Sequence, residues 1–183
     1  MKEELKYPDQ RSKRFVFAPF CLTCQAFQAR GLVRFGFSST IRPVLQELLN
    51  QDVNIIQMPC PESKFGGYDK GLKRLPKGFA GYDVPEFQEL CDREAANVVE
   101  MIKAIQANDF QVVAILGIEY SPSCAISLQY SGRGTFHRSG IFIEKLKSRL
   151  AKEGIIIPFM GINRRGVSSS IKNLRNLLQE KLL

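Results

Sequence analysis

Histidine occurs once in this 183-residue chain, at His137, and C-x-x-C once, so neither a Cys2His2 site nor a paired-knuckle zinc site can be assembled from local motifs. Cysteine is sparse too. Five residues, an odd number well below the density of a disulfide scaffold, leave a thiol unpaired under any scheme and fit a reduced compartment. No apolar run near the N-terminus is long enough to cross a bilayer, since Phe15 to Cys21 is far short of the required length. A secretory leader needs a basic start, a longer apolar stretch and a small-residue cleavage site; Arg11 to Cys24 meets this weakly and reads better as a first strand. A cytoplasmic location is therefore expected. Internal repeats and low-complexity tracts are absent.

What remains is an ordinary globular composition, 44% hydrophobic and 24% charged. The 26 Lys and Arg exceed the 18 Asp and Glu, for a net charge of +8, which favours encounters with anions such as nucleotides or RNA without selecting one. A single domain over 14–183, preceded by an N-terminal extension over 1–13, is the expected organisation.

Four runs rich in branched and aromatic residues have the length of buried strands: Arg14 to Phe20, Val53 to Met58, Gln111 to Gly117 and Ile155 to Met160. They are continuously apolar, as strands covered on both faces are. The intervening segments carry helical periodicity. A first helix starts near Thr40 as cap and accepts Pro43 in its first turn. A second runs from about Pro85 to Ala107 behind Asp83 as cap; a third spans Ile141 to Glu153 and stops at Gly154; a fourth fills Ser169 to Leu183. Right-handed crossovers then give a three-layer α/β fold of Rossmann or flavodoxin-like kind, a four-stranded, mostly parallel sheet with helices on both faces.

Long connections are left at Cys21 to Ser39 and Pro61 to Gly81, with a shorter glycine-bearing one from Ser131 to Gly140. The second carries Lys64, Lys70, Lys73, Arg74 and Lys77 among glycines, and is either a basic flap over a site or a solvated loop. Arg133, His137 and Arg138 are either a phosphate or carboxylate clamp or surface charge.

In open parallel sheets the binding crevice lies beyond the carboxyl ends of the strands. Cys21 follows the first predicted strand, Cys60 the second and Cys124 the third, so three thiols distant in sequence would meet there. Prolines beside Cys60 and Cys124 stiffen their loops. Converging thiolates select zinc, copper(I) or an iron–sulfur cluster, and three of them leave one position open. Against this stands the habit of free cysteine to behave as a small buried hydrophobe, the natural reading of Cys91 on the apolar stripe of the second helix. Cys21-Leu22-Thr23-Cys24 also has the spacing of a thiol redox couple.

Cys21 and Leu22 shortly before Arg30 and Gly31, then Cys60-Pro61-Glu62, then Ser121-Pro122-Ser123-Cys124, resemble the thiouracil desulfidase (TudS) family, and more closely its relatives of unassigned activity. Gln57-Met58-Pro59, Tyr82-Asp83-Val84-Pro85, Cys91 and Gly140-Ile141-Phe142-Ile143-Glu144 agree with those relatives as well. The resemblance implies a four-iron four-sulfur (4Fe-4S) cluster held by Cys21, Cys60 and Cys124, whose free iron takes sulfur from a thiolated pyrimidine or similar small thiolated base without net redox. It implies catalytic roles for Glu62 and Ser121, and substrate contacts from Arg30 and Ser123. Taken alone, Glu62 would serve as well as a helix cap and Ser121 as a turn cap. The chain departs from the family pattern at Ala125, where glycine is usual, at Ile118, where lysine is usual, and over 63–77, all around the substrate rather than the cluster. Two other functions share these residues: an iron–sulfur or zinc sensor that binds RNA through its basic loop, and a Cys21/Cys24 redox protein.

Overall fold

The computed structural model describes residues 9–33, 36–67, 78–131 and 134–179. In chain order the elements are β1 (Arg14–Pro19), α1 (Phe20–Thr23), a 3-10 turn (Gln25–Phe27), α2 (Arg42–Asn50), β2 (Asn54–Met58), α3 (Pro61–Gly66), α4 (Phe79–Tyr82) and α5 (Pro85–Gln106). They continue with β3 (Gln111–Ile118), β4 (Leu128–Ser131), β5 (Gly134–His137), α6 (Ile141–Lys152), β6 (Phe159–Ile162) and α7 (Val167–Gln179).

The expected sheet forms from four parallel strands in the order β2-β1-β3-β6. Alternation along β1 sends Val16 and Ala18 to one face and Phe17 to the other. On the first face they pack with Val44 and Leu48 of α2 and Leu174 and Leu178 of α7. On the second, Phe17 joins Phe87 and Ile102 of α5 and Leu146 and Leu150 of α6. Both faces are covered, which is why the strands read as unbroken apolar runs. Ion pairs fasten each helix pair from outside: Arg175 grips Glu47 between α7 and α2, and Arg149 grips Asp92 between α6 and α5.

The strand order also fixes where the chain opens. From β1 it passes through α2 on one face to reach β2, and from β3 through α6 on the other face to reach β6. The loops leaving β1 and β3 therefore part to opposite faces, and the crevice between them is the topological switch point.

Several boundaries differ from those expected. The fourth strand begins not at Ile155 but at Phe159: Pro158 cannot donate to a ladder, and Ile156 stands 94% exposed, so the isoleucine run is a connection into the sheet. Neither Thr40 nor Asp83 is the N-cap of the helix that follows it. The residues at those positions are Ile41 and Val84, without a side-chain cap bond, and Asp83 instead accepts from Gln88 and pairs with Arg138. A short hairpin, β4–β5, and the single-turn-and-a-half helix α3 occupy stretches expected to be loop. Ser12 Oγ donates to the Asp52 carbonyl and the Lys13 carbonyl accepts Gln111 N–H, so the chain is tied down before residue 14. The fourth helix begins at Val167 rather than Ser169, and 180–183 lie outside the described residues. Among the described residues no helix is long and apolar enough to cross a membrane.

Candidate functional site

At the switch point a cavity of about 100 Å³ is walled by Cys21, Cys60, Cys124, Glu62, Ser121 and Ser123 together with aromatic side chains. Each thiol arrives from a different strand end. At the end of β1, Pro19 stays extended and Cys21 sits in the single turn α1, its carbonyl taken by the Gln25 side-chain amide. After β2, Cys60 is the residue before α3, with Pro61 at the helix start, where its missing N–H costs nothing. Ser63 Oγ donates back to the Cys60 carbonyl at 2.9 Å.

The third thiol needs a sharper turn. Tyr120 carries φ +69°, a left-handed conformation uncommon for a residue with a side chain, and it swings the chain out of β3 into Ser121-Pro122-Ser123-Cys124. That stretch rests on the start of α6. Ile141 N–H donates to the Pro122 carbonyl at 2.9 Å and Ile143 N–H to the Ser123 carbonyl at 3.2 Å. The contact is so close that a Cβ on Gly140 would collide with the Ser123 carbonyl, so glycine is required there. Buried Glu119 holds the return of the chain by accepting Leu128 N–H at 2.8 Å and Ser127 Oγ–H at 3.1 Å.

Within the wall the carboxyl and the two hydroxyls are bonded together. Ser121 Oγ donates to Glu62 Oε1 at 2.8 Å and Ser123 Oγ to the same oxygen at 2.6 Å. Ser121 Oγ also accepts Cys124 N–H at 3.0 Å, and Ser123 Oγ lies 3.4 Å from Cys124 Sγ. The turn-capping role open to Ser121 and its contact with Glu62 thus coexist in one hydroxyl. Gln129, from β4, donates its amide to the Ser121 carbonyl at 2.8 Å and forms part of the same wall.

The thiols share one electrostatic environment. Burial pushes Cys21 up to about 12, with the neighbouring Cys60 adding to the rise and Arg164 opposing it. Burial raises Cys60 as well, helped by Glu62, and raises Cys124 well above the ordinary thiol range, helped by Cys60. All five cysteines are free.

The remaining candidates separate. Arg30 is exposed and is not part of the cavity wall, although its neighbour Ala29 is. Cys24 ends α1 outside the wall, and Cys91 is fully buried on the core face of α5. Ile118 lines the cavity, whereas Ala125 is buried beside it. Lys64 belongs to α3 and pairs with Glu94 at 2.8 Å rather than to a flap; Lys70, Lys73, Arg74 and Lys77 lie outside the described residues, as does Arg133. Arg138 is committed to Asp83 and Glu144 and stacks 4.5 Å over Phe79, a structural role, while His137 is exposed at the end of β5. Arg164, just beyond β6, lines the cavity and was not anticipated. The rule that singled out the cysteines would have found it, had the fourth strand been ended at Ile162 instead of Met160.

Three thiols from three strand ends are a soft donor set. Among the described residues no three thiol, imidazole or carboxyl groups come together closely enough to hold one ion. The chemistry of the three thiols fits an iron–sulfur cluster, which takes one thiolate per iron.

Fold and site together define a parallel α/β protein that gathers three thiols, a carboxyl and two hydroxyls at its switch point. No protein-family model matches the chain. An uncharacterized protein of Methanocaldococcus jannaschii is 25% identical over 171 residues, covering 92% of this chain and 99% of its own. Among solved structures, a 4Fe-4S-dependent thiouracil desulfidase, TudS, superposes with a TM-score of 0.47 at 21% identity, over 88% of this chain and 97% of its own.

Proposed function

We propose that this protein is an iron–sulfur enzyme that removes sulfur from a small thiolated compound, a thiolated pyrimidine or a relative of one. The observation that carries the reading is the meeting of Cys21, Cys60 and Cys124 in one cavity with a carboxyl already bonded to two hydroxyls. The three thiolates would hold a 4Fe-4S cluster, which when bound supplies an iron with an open position, a Lewis acid suited to a soft sulfur atom.

The chain's own groups do the rest. Both hydroxyls load onto Oε1 of Glu62, and Oε2, which takes neither bond, is the oxygen assigned to the reactant. In the overall change water adds to the thiocarbonyl carbon, sulfur departs as hydrosulfide, and a carbonyl replaces C=S, with no electrons gained or lost. Glu62 takes the proton from water and returns it to the ring or the leaving sulfur. Ser121 and Ser123 orient that carboxyl, Ser121 meets the ring edge, and the aromatic side chains of the wall suit a planar base.

Anaerobic reconstitution tests the reading. Wild type should bind about four irons per chain with broad visible absorption, and Cys21→Ser, Cys60→Ser and Cys124→Ser should each lose it while Cys24→Ser keeps it. Glu62→Gln should retain the cluster and lose turnover of thiolated bases. A colourless wild type that takes up no iron would defeat the cluster, and full activity in Glu62→Gln would defeat the proton-transfer role.

A further inference from the structure

Arg164 brings a cation into a wall otherwise supplied with acidic groups. Among the described residues it is the one Lys or Arg that lines the cavity, against three thiols and Glu62. Its position is fixed by the turn between β6 and α7. Asn163 N–H donates to Ser170 Oγ at 3.0 Å, Arg165 N–H to Asn163 Oδ1 at 2.9 Å, and Gly166 N–H to the Asn163 carbonyl at 3.0 Å. The guanidinium is half-buried and donates through Nη1 to the Leu32 carbonyl at 3.2 Å, which ties the segment after Cys21 to the end of β6. It shares that wall with all three thiols. This pre-set geometry costs no rearrangement when negative charge gathers in the cavity.

Iron–sulfur clusters on cysteinates are anionic, and their reduction potentials respond to net charge and hydrogen bonding in the surroundings. A fixed positive charge in the cavity wall favours the more negative, reduced form and opposes loss of the whole anion. We propose that Arg164 is a positioning residue of this cavity, the counter-charge that sets the potential and the retention of a cluster bound at Cys21, Cys60 and Cys124. This rests on the cluster reading above. It assigns the fourth strand end of the sheet to the same centre as the other three.

The test uses the full chain, reconstituted anaerobically with iron and sulfide, as wild type, Arg164→Met and Arg164→Lys. Midpoint potentials come from optical redox titration, and retention from the rate of iron loss to a chelator. Removal of the charge in Arg164→Met should lower the midpoint potential and speed iron loss several-fold. Arg164→Lys, which keeps the charge but not the planar fork to Leu32, should return both towards wild type. A purely structural tether predicts the reverse pattern: Arg164→Lys as impaired as Arg164→Met in retention, with no change of potential in either. Loaded variants whose potentials equal that of wild type would overturn the proposal and leave the cluster standing. A wild type that takes up no cluster would overturn both, an outcome read before any variant is compared.

Discussion

Glu62 is held by hydroxyls instead of cations, and that choice has a cost that can be measured. Ser123 is 0% exposed, so its bond to Glu62 Oε1 has no water to replace it. Removing one partner of a buried hydrogen bond costs about 1–3 kcal/mol, because the remaining group loses its compensation for desolvation. Ser123→Ala should therefore destabilise the metal-free protein by about that amount, seen as a lower urea midpoint at an unchanged slope. An unaltered midpoint would show that the carboxyl finds another donor. Gly140 shows the same tightness from the backbone side, since even a methyl group there meets the Ser123 carbonyl.

The helices that cover the sheet are joined in pairs, and the pair α2–α7 has a titratable clasp. Arg175 donates Nη2 to Glu47 Oε2 at 2.7 Å and Nε to Oε1 at 3.0 Å, a two-pronged contact on a carboxyl that is 4% exposed. This bonding holds Glu47 below the usual glutamate value of 4.5, against burial, which pushes the other way. The folded value is thus lower than the unfolded one. Its stabilisation is complete above the unfolded value and disappears as pH falls through the folded one. Wild type should melt above Arg175→Gln at neutral pH, with the gap closing on acidification below about pH 4.5. A gap that persists into strong acid would mean the arginine acts by packing alone. At this scale the sequence was readable where periodicity was strong: the strands now seen as β1, β2 and β3, the helices α5 and α6 and the stop at Gly154 all follow from apolar runs bounded by turn residues. It was less readable where a single residue decides. Pro158 diverts an isoleucine run out of the sheet, and α3 is too short to show a period. Arg164 was missed for the first of these reasons, because a strand end two residues early hid its place at the sheet's carboxyl edge.

Across the whole molecule, one sheet separates two apolar clusters, and the strands β1 and β3 belong to both. Melting either cluster exposes strands on which the other depends, so the two should unfold in one step. The cysteines act on this unit from its carboxyl edge. Loops leaving β1, β2 and β3 each bring one thiol, so a group bound by all three fastens the edge at three points that are far apart in sequence. Whatever binds the folded state and not the unfolded one raises stability with its occupancy. The reconstituted protein should therefore melt above the same protein stripped by chelator, in a single transition that coincides by far-ultraviolet circular dichroism and by tyrosine fluorescence, the natural probe in a chain with five Tyr and no Trp. Equal melting of loaded and stripped protein would contradict attachment at three strand ends. Two separated transitions would instead divide the clusters into independent units, and the shared strands rule that out only if the sheet is as continuous as its hydrogen-bonded order β2-β1-β3-β6.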